Sequence, residues 1–474
     1  MPPMALVVAA FALPLLAGLA FAALCLRLYI RKWVLPSVPT SSGPTLAFFH
    51  PFCHAGGGGE RVLWVAIRAC LTANPNTMCI VYSGDYTATP ADILSQARNR
   101  FGITIDSARI QFVFLRHRWL VEAATYPRLT LIGQSLGSVL LACEAVVRHC
   151  PTVFIDTMGY AFAYPAVRFL VGCPILAYTH YPTISTDMLR VVESNIQTFN
   201  NAGWVTRSPV LRRAKLWYYR LFARAYGWCG RHVTLAMANS TWTYNHLAHL
   251  WRIPQRLSIV YPPCDTSAFE QLSATSCKPW IVSVAQYRPE KNHALQIESF
   301  AQLLNDRPDL PARYPDLQLI MIGGCRDAGD TQRANDLERL ARDCNVADRV
   351  RILRNVALNE LTHYLGSGMI GLHSMVDEHF GISVVEAMAS GLVTVANNSA
   401  GPKEDIVVPV DGRPTGYLAS TVDEYAQAFA AMLDMSQHDR VEIVDAARKS
   451  VKRFSEEAFE REWLKQLKGL GVGL

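Results

Sequence analysis

Short apolar runs alternate with segments of helical spacing along this sequence, and the alternation occurs twice. In the first half, TLAFFH from Thr45 leads through a glycine-rich loop into ERVLWVAIRACLTA, whose apolar residues recur every three or four positions. Five more apolar runs follow in the first half: TMCIVYSG, IQFVFL, RLTLIGQ, TVFIDTM and PILAYTH. The second half contains five of the same kind: WIVSVAQY, LQLIMIGG, RVRILRN, MIGLHS and LVTVANN. Short apolar strands separated by helices are typical of a parallel sheet covered by helices on both faces. The pattern predicts two such units.

The alternation is interrupted between Val260 and Phe269, where VYPPCDTSAF carries two prolines and few apolar residues. A chain of 474 residues is long enough for more than one domain. We therefore expect an N-terminal anchor over 1–34, a first Rossmann-like domain over 35–265, a second over 266–452 and a closing helix over 453–474. The predicted fold class is α/β, with two Rossmann-like domains facing a cleft and ligands at the carboxyl ends of the strands.

The N-terminus predicts a membrane anchor. Met4 to Leu26 contains no charged residue and is long enough to span a bilayer, and Arg27, Arg31 and Lys32 follow it directly. A secretory signal carries its charge before the apolar run, so a cleaved signal peptide is the weaker alternative. By the positive-inside rule the basic flank stays in the cytosol, and the rest of the chain with it. The sequons at Asn239 and Asn397 are then expected to be unmodified.

Composition limits the classes of partner. The net charge of +6 is small and diffuse, which suits an anionic membrane surface or a phosphate-bearing substrate and argues against nucleic acid. The twelve cysteines show no zinc spacing and are interpreted as reduced cysteines of a cytosolic domain. Residues 211–228 combine Arg213, Arg220 and Arg224 with many aromatic residues. This segment is either a helix at the membrane surface or a buried aromatic helix with snorkelling arginines.

One motif suggests a hydrolase. GQSLG, from Gly133 to Gly137, has the G-x-S-x-G form of the turn that presents a serine nucleophile in α/β-hydrolases. A membrane-anchored esterase using Ser135 is therefore an alternative. The competing interpretation is structural, because a strand that turns tightly into the helix SVLLACEAVV needs small residues where the two backbones approach. A single G-x-S-x-G is weak evidence, and we favour the structural interpretation.

The C-terminal half contains DEHFGISVVEAMASG, in which Glu378 and Glu386 are eight residues apart. A loop carboxylate at Glu378 can accept hydrogen bonds from sugar hydroxyls, and Glu386 can hold a ribose diol. The N–H groups of a helix that starts at Gly381 can hold a diphosphate. The alternative is an acidic loop followed by an ordinary amphipathic helix.

This stretch resembles the E-x7-E signature of retaining GT-B glycosyltransferases of family 4. QYRPEKNH resembles the donor-phosphate pair of that family, here Arg288 and Lys291, and MIGGC ends a strand in glycines, as expected beside a nucleotide base. No D-x-D occurs in the chain, so the resemblance implies chemistry without a metal or other cofactor, with cations neutralising the leaving diphosphate. The fold it implies is GT-B with one N-terminal transmembrane helix.

The resemblance also assigns the site. The residues it implies for catalysis are His180, Glu378, Lys291 and Arg288. Those it implies for donor binding are Gly57, Gly58, Arg288, Lys291, Gly323, Phe380, Gly381, Ile382, Ser383 and Glu386.

Four further stretches narrow the resemblance to members of the family that extend dolichol-linked oligosaccharides. They are HPFCHAGGGGERVLW, FIDTMGYAF, YTHYPTIS and NSAGPKEDIV. It then implies transfer of mannose from GDP-mannose to dolichyl-diphosphate Man3GlcNAc2 in α-1,2 linkage, by two successive additions that give Man5GlcNAc2. The implied location is the endoplasmic reticulum membrane, single-pass, with the catalytic domains in the cytosol. The implied partners are membrane lipid and other mannosyltransferases of that membrane. An inactive nucleotide-sugar-binding subunit is a further alternative, which the intact charged residues of the motifs disfavour.

Overall fold

The computed structural model describes residues 18, 20–34, 44–185, 188, 209–272 and 277–471. These residues divide into two compact units. Unit 1 comprises the chain up to Ala238 together with Thr243–Ile259 and Glu462–Leu474, and unit 2 comprises Asn239–Trp242 and Val260–Arg461. The main part of unit 2 begins at Val260, close to the paired prolines of VYPPCD.

Unit 1 contains a seven-stranded sheet in which every pairing is parallel. The order is β3-β2-β1-β4-β5-β6-β7. The strands are Thr45–Phe49 (β1), Met78–Ser83 (β2), Ile110–Phe114 (β3), Val153–Asp156 (β4), Ile175–Thr179 (β5), Leu235–Ala238 (β6) and Leu257–Ile259 (β7). The strands β1, β4 and β5 are buried along their whole length because helices cover both faces.

Helices of the first half include Gly58–Ala73 (α1), Pro90–Phe101 (α2), Thr130–Arg148 (α3), Tyr164–Leu170 (α4), Pro209–Gly230 (α5) and Thr241–Trp251 (α6). Residues of the C-terminal helix also belong to unit 1. Trp463 is fully buried and stacks on Phe48, with ring centroids 6.2 Å apart. Its indole N–H donates to the sulfur of Cys70. The end of the chain therefore contributes to the core of unit 1.

Unit 2 contains a six-stranded, fully parallel sheet in the order β10-β9-β8-β11-β12-β13. Its strands are Trp280–Val284 (β8), Gln318–Gly323 (β9), Val350–Arg354 (β10), Ile370–Leu372 (β11), Val393–Asn397 (β12) and Tyr417–Ala419 (β13). The helices of the second half are Thr266–Glu270 (α7), His293–Asp306 (α8), Leu310–Arg313 (α9), Ala328–Asp343 (α10), Leu358–Ser367 (α11), Ile382–Ala389 (α12), Val422–Asp434 (α13), Gln437–Val451 (α14) and Glu456–Gly469 (α15). Both sheets have the strand order of doubly wound Rossmann-like folds. The predicted α/β class with two Rossmann-like domains is confirmed.

The interpretation of GQSLG as a turn between a strand and a helix is wrong. Gly133 to Gly137 lie inside α3, which begins at Thr130, and the Ser135 hydroxyl donates to the carbonyl of Leu131 in the preceding turn. The glycines are required for packing. A Cβ on Gly137 would lie 1.9 Å from the carbonyl oxygen of Leu120, and one on Gly133 would overlap the ring of Tyr126. A serine inside a helix does not have the geometry of a nucleophile elbow.

Most of the predicted membrane anchor lies outside the described residues, which include residue 18 and residues 20–34 of this region. In the part of the chain that the structure describes, one helix is long and apolar enough to cross a membrane. It is α3, with a mean hydropathy of 1.6.

Candidate active site

The order of the second sheet reverses between β8 and β11, which are hydrogen-bonded neighbours. In open α/β sheets, ligands bind outside the carboxyl ends of the strands at this position. Arg288 and Lys291 follow β8, and the segment from His373 to Glu378 follows β11. The topology therefore brings the two predicted motifs to one edge of the sheet.

Lys291 and Glu378 form an ion pair between side chains that are 22% and 14% exposed. The Lys291 ammonium also lies 3.1 Å from the sulfur of Met375, and His373 Nε2 lies 3.2 Å from the same carboxylate oxygen of Glu378. Burial by itself raises the pKa of Glu378, but Lys291 and His373 outweigh it and hold this pKa well below its ordinary value. Glu378 is therefore ionised at neutral pH.

Backbone contacts tie the two segments together. The Ser374 hydroxyl, buried after β11, lies 2.8 Å from the carbonyl oxygen of Lys291 and 3.1 Å from that of Asn292. It also accepts a hydrogen bond from the amide of Gln296 on α8, at 2.7 Å. These contacts fix the backbone from which Lys291 projects. Sequence reasoning missed His373 and Ser374, although two polar residues directly after the apolar run MIGL were the available signal.

His293 lies at the start of α8, two residues after Lys291. Its side chain is buried, and its ring packs at a tilt against that of Tyr287, with centroids 5.1 Å apart. Burial, together with the charge of Lys291, lowers the pKa of His293 to about 4. His293 is therefore neutral at physiological pH.

The predicted diphosphate-binding helix begins where the sequence places it. Gly381 has a φ of +114°, a conformation that a residue with a side chain rarely adopts, and α12 runs from Ile382 to Ala389. The first backbone N–H groups of a helix have no partner within it, so this end can receive an anion. Ser383 and Glu386 are half-buried on α12.

The ring of Phe380 is part of the core. It is 3% exposed and packs against Phe454 and Tyr261, with ring centroids 5.1 Å and 5.8 Å away. Only the backbone of Phe380 can therefore make the predicted contact with the donor.

Arg288 and Gly323 have separate surroundings. The described ion pair of Arg288 is a loose one with Glu290, at 3.9 Å on the surface, so Arg288 does not join the cluster around Glu378. Gly323 ends β9, where a Cβ would lie 2.4 Å from the carbonyl oxygen of Ala285 and 2.7 Å from the ring of Tyr287. Close packing alone requires a glycine at this position.

In unit 1 the glycine-rich loop follows β1 and is held by Glu60. The backbone N–H of Gly57 donates to Glu60 Oε2 at 2.5 Å, and His50 Nε2 lies 3.6 Å from the other carboxylate oxygen. Burial raises the pKa of Glu60, but its contacts with His50 and the Gly57 N–H give a net lowering. Thr157, which follows β4, contacts His50 Nδ1 at 2.8 Å.

His180 follows β5 and lies beside the same loop. A Cβ on Gly59 would be 3.6 Å from His180 Nε2, and the ring of Tyr178 packs edge-on at 4.9 Å. Within unit 1 the structure therefore brings His180 next to the glycine-rich loop that contains Gly57 and Gly58.

Two Rossmann-like units, with a cationic and acidic cluster at the carboxyl edge of the second, define a glycosyltransferase of the GT-B class. Solved structures share this fold. Sucrose-phosphate synthase from Thermosynechococcus elongatus has a TM-score of 0.63 and 15% identity, covering 91% of this chain and all of that one. HepE from Anabaena, solved with UDP and glucose, has a TM-score of 0.59 and 14% identity, covering 90% of this chain and 99% of that one.

Sequence comparison gives the family. The family described as ALG11 mannosyltransferase N-terminus matches residues 44–251, and glycosyl transferases group 1 matches residues 266–450. The chain is 47% identical to the Homo sapiens protein named GDP-Man:Man(3)GlcNAc(2)-PP-Dol alpha-1,2-mannosyltransferase. It is 44% identical to the Caenorhabditis elegans protein of the same name. The first match covers 93% of this chain and 90% of the relative, and the second covers 89% and 90%. The chain belongs to this family of alpha-1,2-mannosyltransferases.

Proposed function

We propose that the protein transfers mannose from GDP-mannose to dolichyl-diphosphate Man3GlcNAc2 in α-1,2 linkage, with retention of the donor's anomeric configuration. The single observation that carries the proposal is the Lys291–Glu378–His373 cluster at the switch point of unit 2, in a chain whose relatives are named for this reaction. We expect two successive additions, giving Man5GlcNAc2.

Lys291 and the start of α12 act on the leaving group. As the bond between the mannose C1 and the phosphate oxygen breaks, negative charge grows on the departing GDP. A nearby ammonium and a helix N-terminus stabilise this charge without reorganisation. Arg288 supplies a second cation from the same segment. Before the donor binds, Glu378 holds Lys291 in place and prevents an uncompensated positive charge in a partly buried position.

Glu378 and Glu386 bind the donor through its hydroxyls. The ionised Glu378 accepts hydrogen bonds from the mannose, and Glu386 accepts them from the ribose. The acceptor hydroxyl attacks C1 from the face that the phosphate leaves, and its proton passes to the departing phosphate oxygen. The protein then contributes mainly positioning and charge stabilisation. We also assign Gly57 and Gly58 of unit 1 to donor binding and His180 to catalysis.

The same chemistry explains why we propose that no metal takes part. The cations that face the diphosphate come from Lys291 and Arg288, so a divalent ion has no remaining task. Transfer is expected to continue in EDTA at the rate seen without it. Loss of activity in EDTA that added Mg²⁺ or Mn²⁺ restores would contradict this assignment.

The proposed location is the membrane of the endoplasmic reticulum, with both units on the cytosolic side where GDP-mannose is available. The apolar stretch Met4–Leu26 and its basic flank support this orientation. We also expect contact with other mannosyltransferases of the same membrane, because each product in a lipid-linked series is the next enzyme's acceptor.

The experiment is a transfer assay with the purified full-length chain. It is incubated with dolichyl-diphosphate Man3GlcNAc2 and, in parallel, GDP-mannose, UDP-glucose and UDP-N-acetylglucosamine. We expect products from GDP-mannose alone, and an α-1,2-mannosidase should return them to the starting acceptor. Transfer from a UDP-sugar, or donor binding without transfer in the presence of acceptor, would contradict the proposal.

A further inference from the structure

The outer side of α3 presents an apolar stripe to solvent. Helix α3 buries Gly137, Leu141 and Ala145 in the core of unit 1. On the opposite side the chain exposes Leu129, Ile132, Leu136 and Leu140, which are spaced by three, four and four residues and so form one stripe. Leu136 and Leu140 are 60% and 58% exposed. A helix at the surface of a soluble domain normally carries polar residues in such a stripe.

Helix α5 adds a second exposed stripe. Trp217, Leu221 and Trp228 are 64%, 66% and 56% exposed and share one side of the helix, whereas Phe222 and Tyr226 are buried on the other. Arg213 and Arg224 are exposed on the same side as the two tryptophans. The predicted membrane-surface helix over 211–228 therefore buries one aromatic side and exposes another.

The two stripes belong to the same part of unit 1. Both helices pack against the short segment Ala161–Ala163, which lies between β4 and α4. We call the exposed residues Leu129, Ile132, Leu136, Leu140, Trp217, Leu221 and Trp228 the α3–α5 face.

The end of the predicted anchor joins unit 1 at α3. Residues 30–34 pack against α3, and Ile30 and Val34 are buried in the core that also contains Leu141. The Arg27 guanidinium lies 4.7 Å from the centre of the exposed Phe169 ring on α4. The end of the predicted anchor therefore meets unit 1 at α3, the helix that carries the first stripe.

We propose that the α3–α5 face binds the membrane. Its partner is the cytosolic leaflet of the bilayer that holds the anchor. A surface that lies at the membrane interface combines leucines that enter the acyl region, tryptophans at the level of the head groups and arginines beside them. Arg213 and Arg224 complement the negative charge of anionic head groups. This contact holds unit 1 against the membrane surface from which a lipid-linked acceptor must be taken.

The direct test measures contact with lipid and does not depend on transfer activity. The full-length protein is reconstituted in vesicles of phosphatidylcholine and phosphatidylserine, with and without brominated phosphatidylcholine, which quenches nearby tryptophans. Replacing both Trp217→Phe and Trp228→Phe is expected to reduce the fraction of fluorescence that bromine quenches. Trp280→Phe, at a buried position of unit 2, should not reduce that fraction. Equal quenching in the double variant and the wild type would overturn the proposal.

A second test replaces leucines. Leu136→Glu and Leu140→Glu together are compared with Leu358→Glu, which changes a leucine of similar exposure, 59%, on α11 of unit 2. The α3 variant should raise KM severalfold for the long-chain acceptor in vesicles while leaving KM for GDP-mannose unchanged. This arm rests on the proposed function. The same acceptor KM in both variants would overturn the proposal. So would a fall in the oligomeric mass of the α3 variant in detergent, because the α3–α5 face would then bind a second copy of the chain.

Discussion

Lys291 keeps Glu378 ionised in a position that is mostly removed from water. Replacing Lys291 by alanine leaves a charged carboxylate with only His373 beside it. Loss of one partner of a fully buried pair costs roughly 3–5 kcal/mol, and partial exposure makes the expected cost here smaller. We therefore predict that Lys291→Ala lowers the free energy of unfolding. The combined variant Lys291→Met with Glu378→Gln should recover most of that loss without recovering transfer. Denaturant unfolding of the three proteins measures this, and equal stability of both variants would contradict the role given to the pair.

His293 makes the stability of unit 2 depend on pH. Its pKa is about 4 in the folded protein, against an ordinary value of 6.5, so the unfolded chain binds the extra proton between these values. Stability attributable to His293 is therefore complete above pH 6.5 and is lost as the pH falls towards 4. One proton corresponds to a slope of about 1.4 kcal/mol per pH unit.

The test compares His293→Gln with His438→Gln, whose side chain is 81% exposed. Unfolding is measured at several values between pH 4 and 7. The slope should become shallower in His293→Gln and stay the same in His438→Gln. Identical slopes in both variants would show that His293 is not held neutral.

Helix α3 accounts for the glycines of GQSLG through packing. Gly137→Ala places a methyl group against the Leu120 carbonyl, so the helix must shift, at a typical cost of about 1–3 kcal/mol. Ser135→Ala removes a hydrogen bond within the helix and should leave transfer nearly unchanged. Thermal unfolding and transfer assays separate the two variants. Covalent labelling of Ser135 by a fluorophosphonate, with loss of activity, would restore the esterase alternative.

Periodicity predicted most of the parallel strands because buried strands of this kind are continuous apolar runs. It failed at RLTLIGQ, because a short apolar run with a glycine can belong to a strand or to a buried helix, and the contact of Gly137 with Leu120 decides between them. The short strands β6, β7 and β13, of three or four residues, were not predicted.

For the site, the motifs singled out Lys291, Glu378 and Gly381, and the sheet topology brings their two segments to one edge. The motifs could not show that His373 shares the carboxylate of Glu378, because that contact depends on how the chain turns after β11. Nor could they show that the Phe380 ring belongs to the core, which depends on its packing against Phe454.

A test of how the whole protein is oriented in the membrane needs a glycosylation sequon other than the native ones. Asn239 and Asn397 are 5% and 3% exposed, so the folded protein hides both from modification on either side of the membrane. The exposed turn at Asp411 and Gly412 has φ values of 50° and 76°, which suit Asn-Gly. Asp411→Asn with Arg413→Thr creates a sequon there. We predict no glycan on the full-length protein in cells, detected by a glycosidase shift.

A matched control makes that result interpretable. The same variant with residues 1–34 replaced by a cleavable signal peptide enters the lumen and should acquire the glycan. A glycan on the anchored protein would contradict the cytosolic orientation.

The central claim is that the unit 2 cluster stabilises charge on the leaving GDP. The measurement is the kinetics of mannosyl transfer by Lys291→Ala and Glu386→Ala, with kcat and KM for GDP-mannose determined separately. Interactions that strengthen in the transition state affect turnover, whereas contacts that persist through the reaction affect binding. We predict that Lys291→Ala lowers kcat by about a hundredfold to a thousandfold, the usual effect of losing one such donor. Glu386→Ala should mainly raise KM. A folded Lys291→Ala protein with near-normal kcat would contradict the account.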